Sequence, residues 1–204
     1  MLINESLVTV EPTIEPVTLD EVKVRARVDL DDAQDDDLLT ALAISARKLC
    51  EEYMGRAILP QTRQTYIELT DDHTQGEIYG EIGWRMREIE IPFPITSAVS
   101  SIEFESGPGE WTVLDTGIYY LDLNAQPARL WMKPFFWWFP LSAMFVYYKP
   151  RIRVTHTCGY SNISNVPQMI KEAVKTVTMH LYDDGQPMME TVTALLDPYK
   201  IVRL

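Results

Sequence analysis

The chain has 204 residues, 46% hydrophobic and 24% charged, enough for one domain with a proper core or a small domain carrying a large insertion, and the wrong composition for a disordered polymer. Thirty acidic residues against 18 basic ones leave a formal net charge of -12. That balance argues against gripping duplex DNA as the main task, because such binding rests on neutralising phosphates, and favours a protein partner or a channel wall past which DNA slides.

The start, "MLINESLVTVEPTIEPV", lacks the basic stretch and apolar core of a signal peptide. No apolar run approaches the ~20 residues needed to cross a bilayer, so no membrane partner is expected. Pro12 and Pro16 and the lack of a helical period make residues 1–17 an extended N-terminal arm. A first helical region spans 18–60. In it Thr18 and Glu21 have the spacing of a capping box, with Val17 and Val22 as the hydrophobic staple, which predicts a short helix to about Val28. "DLDDAQDDD" interrupts it, and Asp35 to Asp37 are placed to cap the next helix and to favour its N-terminus electrostatically. Leu38, Leu39, Leu42, Ala46, Leu49, Cys50 and Tyr53 recur at three- and four-residue spacing and so share one helix face. Gly55 then ends the helix, since glycine adopts the left-handed conformation freely.

Residues 61–160 change to a period of two. "TRQTYIEL", "WRMREIEIP", "SSIEFES", "WTVLD", "IYYLDL", "ARLWMK", "MFVYY" and "RIRVTHTCGY" are short, rich in β-branched and aromatic residues, and punctuated by Gly, Pro, Asp and Asn. A second helical region, 161–196, follows; after "NISNVP" it carries an apolar stripe of Ile170, Ala173, Val174, Val177 and Leu181 and a last short helix ending near Leu196. Residues 197–204 form a tail. The predicted class is therefore α+β: a small helical bundle, its two regions (18–60 and 161–196) packed together, interrupted by a large antiparallel β insertion resembling a sandwich or barrel.

Chemistry is sparse. His73, His156 and His180 have no neighbours at metal-ligand spacing, and Cys50 and Cys158 belong to no CxxC pair, so no metal, cofactor or disulfide is expected and a reducing cytoplasm is the default. His156 and Cys158 point the same way on a strand, but no third group orients them as a catalytic pair. The acidic run Asp29–Asp37 fails the calcium-loop pattern at Ala33, Gln34 and Thr40, and Glu51 and Glu52 look like solvated helix surface rather than an acid/base pair. No phosphate-loop, dinucleotide or nucleophile-elbow motif occurs, and no catalytic residue is assigned.

The most unusual stretch is "KPFFWWFP", in which Phe135, Phe136, Trp137, Trp138 and Phe139 stand in a row. Strand residues alternate faces, so one sheet layer cannot bury all five. The row is either a lid over the core or a contact with another subunit or partner. A glycan or surface platform on Trp137 and Trp138 is the alternative function.

Several stretches, in order, resemble the head-tail connector (adaptor, or head completion) family of long-tailed phages and prophages. They are "VTLDEVKVRARVDLDDAQDDDLLTALAISARKLCEEYMGRAILPQT" (Val17 to Thr62), "IEIPFPITSAVSSIEF" (Ile89 to Phe104), "VTHTCGYSNISNVPQMIKEAV" (Val154 to Val174) and "LLDPYK" (Leu195 to Lys200). The resemblance implies a non-enzymatic protein of the virion neck, made in the host cytoplasm, that forms a ring of its own copies, a dodecamer, beneath the portal protein. Such a ring extends the DNA channel without sequence-specific DNA binding and offers a docking surface to a stopper or tail-completion protein. It also implies portal contact through the C-terminal segment, here Leu195, Leu196, Pro198, Tyr199, Ile201, Val202, Arg203 and Leu204. The sequence departs from the family where "PFFWWFP" stands in place of a simpler "WP" and "HTCGY" in place of "TAGY".

Overall fold

The computed structural model describes residues 2–68, 88–133, 151–183 and 190–201. The chain divides into two compact units, one built from Met1–Glu11 and Gln61–Cys158, the other from Pro12–Pro60 and Gly159–Leu204. The first is a β unit and the second is helical, which gives the α+β class expected from the change of period.

In the helical unit, α1 spans Leu19–Ala26 and opens with the capping box: Thr18 Oγ1 accepts from the Glu21 amide at 3.2 Å, and Glu21 Oε2 accepts from the Thr18 amide at 2.8 Å. Helix α2 covers Asp36–Met54 and ends at Gly55, φ 63°. Helix α3 runs over Gln168–Asp183, and the short α4 over Glu190–Leu196. Small side chains on α2 (Ala43, Ala46, Cys50) share a buried core with Ile170, Ala173, Val174 and Val177 of α3, which allows the two helices close approach. Val17 and Val22 complete that core beneath α1.

The capping of α2 differs from expectation. The Asp35 side chain makes no cap bond and instead accepts from the Tyr182 hydroxyl at 2.6 Å, because Tyr182 at the end of α3 reaches it first.

Among the described residues the β unit holds two antiparallel sheets. Strands β1 (Leu2–Val10), β2 (Gln61–Glu68), β4 (Thr96–Gly107), β5 (Glu110–Val113) and β8 (Arg151–Cys158) form a sheet in the order β1-β2-β8-β4-β5. Strands β3 (Glu88–Ile91), β6 (Tyr119–Asp122) and β7 (Ala128–Met132) form the other, in the order β3-β7-β6. Ile67, Ile102, Ile152 and Val154 of the larger sheet share one core with Ile89, Ile91, Ala128 and Leu130 of the smaller, as in a sandwich. The other face of the larger sheet carries cross-strand ion pairs, Arg153 to Glu103 at 2.6 Å and a two-pronged Arg151 to Glu105 at 2.7 and 2.8 Å.

Residues 1–17 are not simply an extended arm, because Leu2–Val10 within them is a strand paired antiparallel along β2. Its alternation is broken by irregularities between Ile3 and Glu5 and between Val8 and Val10, which blur the period of two.

Where the chain returns from β8 to the helices, Gly159 adopts φ +113°, and a Cβ built there would lie 2.2 Å from the Leu59 carbonyl oxygen. Backbone meets backbone at that point, so no side chain can swing aside. Gly159→Ala is expected to cost roughly 2–6 kcal/mol from strain plus overpacking, read as a lowered denaturant midpoint with an unchanged slope.

Candidate functional site

The side chains with the most worked-out electrostatics lie in the helical unit. Arg47, 1% exposed, stands between two carboxylates: its Nε donates to Glu15 at 2.8 Å and its NH1 donates to Glu51 at 3.1 Å. Glu51, 4% exposed, uses its other oxygen to accept from the Ile58 amide at 2.8 Å. One relay thus ties the segment before α1, the body of α2 and the loop that leaves the unit. It corrects the view of Glu51 and Glu52 as a solvated pair: Glu52 is exposed, whereas Glu51 is an internal hydrogen-bond hub. Next to it, burial and then the Glu51 charge push the Cys50 thiol up to about 12, so this cysteine is an inert core residue.

The acidic turn has its own internal cation. Lys23, 3% exposed, points its Nζ at the carbonyls of Leu30 (3.2 Å) and Asp32 (2.7 Å) and at the Asp36 carboxylate (2.5 Å). The run "DLDDAQDDD" thus folds around a buried ammonium. The signal was available in the sequence as a lysine one residue after the staple valine Val22, on a short helix followed by a run of aspartates.

The C-terminal segment is anchored to the end of α2. Leu196 is fully buried and Leu195 packs against the same core. Asp197 accepts from the Tyr53 hydroxyl at 2.5 Å, a bond that raises the phenol's pKa. Pro198 lies in the 3-10 turn Asp197–Tyr199. The Tyr199 carbonyl accepts from Arg56 Nε at 3.3 Å, the Lys200 ammonium sits 4.2 Å above the Tyr53 ring, and the Ile201 amide donates to the Met54 carbonyl at 2.9 Å. Of the eight tail residues singled out in the sequence, Leu195, Leu196, Pro198, Tyr199 and Ile201 are thus brought together on one bracket, while Val202, Arg203 and Leu204 lie outside the described residues. The row Phe135, Phe136, Trp137, Trp138 and Phe139 also lies outside them, as does His73.

His156 and Cys158 share the inward face of β8, both fully buried. Burial pushes the His156 pKa down to about 4, and the Cys158 thiol contacts the Gln61 carbonyl at 3.9 Å. Neither is presented to a substrate. Among the described residues no three His, Cys, Asp or Glu side chains form a metal-holding group, and no helix is long and apolar enough to cross a membrane. An open groove of about 510 Å³ between α1 and α3 is lined by Glu21, Val24, Arg25, Arg27, Lys175 and Met179. Glu172 and Thr176 already hold Lys175 and Arg25 there, so it has no convergent chemistry.

Comparison with solved structures finds the same fold over nearly the whole chain. A chain of the neck of an empty gene transfer agent particle, computed with C6 symmetry, is 18% identical, with 98% of this chain and 97% of that chain covered at a TM-score of 0.65. A chain from the virion of the native particle is 17% identical, with 98% and 96% covered at 0.65. A third, from the native neck computed with C12 symmetry, is 17% identical, with 97% and 97% covered at 0.59. No family model matches the sequence, and no curated protein matches it. The shared feature is therefore the fold, both units in their order along the chain.

Two substitutions test the buried charges. Arg47→Met should cost about 3–5 kcal/mol in chemical denaturation, because Glu51 then stays buried without its cation, and adding Glu51→Gln should recover some of the loss. Lys23→Met should speed amide exchange across 29–36 and cost about 1–3 kcal/mol, whereas calcium added to the unmodified protein should leave its melting temperature unchanged.

Proposed function

We propose that this chain is a structural, non-enzymatic component of the neck of a phage or phage-like particle. In this reading it is an adaptor that forms a ring of its own copies, a dodecamer, under the portal protein, lengthens the DNA channel and gives a stopper or tail-completion protein its seat. The observation that carries it is the near end-to-end likeness to chains of particle necks, structures computed with six- and twelvefold symmetry. The net charge of -12 supports the channel role, since an acidic wall repels passing DNA instead of binding it.

The bracket supports a narrower version of the portal contact within this reading. Residues Asp197–Ile201 are held against α2 by Tyr53, Met54 and Arg56, so their first duty is to the chain's own fold, and the portal contact falls to Val202, Arg203 and Leu204 beyond it.

The test is electron microscopy of the purified protein mixed with tailless heads of the same particle. Rings seated at a single vertex are expected. A variant ending at Ile201 should keep the melting temperature of the full chain and lose the vertex. Attachment by that variant would refute the tail contact, and vertices that stay empty with the full chain would refute the adaptor role.

A further inference from the structure

The inner face of the larger sheet changes character along its length. At one end it presents Ile67, Ile102, Ile152 and Val154, while at the other it presents Gln61, Arg63, Thr96 and His156, all buried. The register puts Gln61 and Thr96 on either side of Cys158 and sets Arg63 opposite His156. Both side-chain amide atoms of Gln61 and the Thr96 hydroxyl have no hydrogen-bond partner, and the buried His156 ring has only the backbone of Val154 and Pro92 beside it among the described residues. Buried polar groups in native proteins are nearly always satisfied, by protein or by water, so this patch gains from hydration.

Its cover is the β3 to β4 connection, Pro92–Ile95. The Phe93 ring lies 3.5 Å from the Arg63 guanidinium, and the carbonyl of Pro92 lies near His156. This strap holds two non-glycine residues at positive φ, Phe93 at 60° and Ile95 at 69°. For a β-branched residue such as Ile95 that conformation is strained. A strained cover over unsatisfied polar groups is poised to lift.

We infer that the Pro92–Ile95 strap is an acid-released cover that opens when His156 takes up a proton. The charged group facing His156 from β2 is Arg63, and the titratable group beside it on β8 is the Cys158 thiol. Val99 is its cross-strand neighbour on β4. The backbone of Val154 and of Pro92 in the strap favours the protonated ring, and burial together with the Arg63 charge outweighs them. Protonation therefore places a second buried cation next to Arg63, and lifting the strap hydrates both. The sign follows from the depressed pKa: the closed form keeps His156 neutral, so its advantage is full above 6.5 and shrinks as pH falls towards about 4. If His156 regains its ordinary value on opening, the open fraction rises about 30-fold between pH 8 and pH 5. This inference goes beyond the proposed neck role and stands without it.

Amide exchange of the full chain, corrected for the intrinsic pH dependence of exchange, tests it. The amides of Phe93, Ile95 and Thr96, the ones this segment has because Pro92 and Pro94 carry no N–H, should exchange about 30-fold faster at pH 5 than at pH 8 while β2 and β8 keep their protection, and His156→Gln should flatten the response. Unchanged strap protection, loss of strap and strands together, or the same response in the variant would each overturn it. Should His156→Gln not fold, the His156 ring signals of the unmodified protein decide by nuclear magnetic resonance. A ring titration that shares the strap's midpoint supports the switch, and one that does not refutes it.

Discussion

The helical unit depends on a guanidinium that water does not reach. Arg47 must find its neutralising partners inside the protein, and it finds them in Glu15 from the segment before α1 and Glu51 one turn further along α2. Glu51 in turn holds the Ile58 amide. Desolvating these charges is costly, so the arrangement adds less to stability than to uniqueness: the entry and exit segments can be placed in one way only.

Much of this architecture was legible because it rests on local chemistry. The capping box of Thr18 and Glu21, the glycine stop at Gly55 and the stripe on α3 each follow from a few neighbouring residues, and each appears in the structure as anticipated. The change of period at Gln61 coincides with the first residue of β2. What local patterns hid was long-range pairing. Leu2–Val10 is recognised as a strand only once β2, more than fifty residues later, is known to lie beside it. Lys23, Arg47 and Glu51 carry charges that a sequence places at the surface by default, and their burial is fixed by partners that tertiary folding supplies. The tail residues were singled out by the family resemblance, and nothing in their local pattern showed their attachment to the end of α2.

Polarity is also distributed unevenly within the sandwich. One end of its interior obeys ordinary hydrophobic packing, with isoleucines from both sheets in contact. The other end is lined with groups that hydrogen-bond poorly to one another and is closed by a backbone segment in an unfavourable conformation. Such local conflict is uncommon in a core shaped for stability alone, and it concentrates the unit's capacity for rearrangement in one place.

The interlacing of the two units has a bearing on how the protein is made. The β unit takes its first strand from the N-terminus and the rest from Gln61–Cys158, while the helical unit takes Pro12–Pro60 and then waits for Gly159–Leu204. Emerging from the ribosome, β1 has no partner until β2 arrives, and α2 has its apolar stripe uncovered until α3 is complete. Neither unit is a contiguous module that a single cut could release, and the helical one closes last, when nearly the whole chain exists. A product stalled before Gln168–Asp183 would therefore expose the α2 stripe as a sticky surface, whereas the longer chain hides it once α3 has packed.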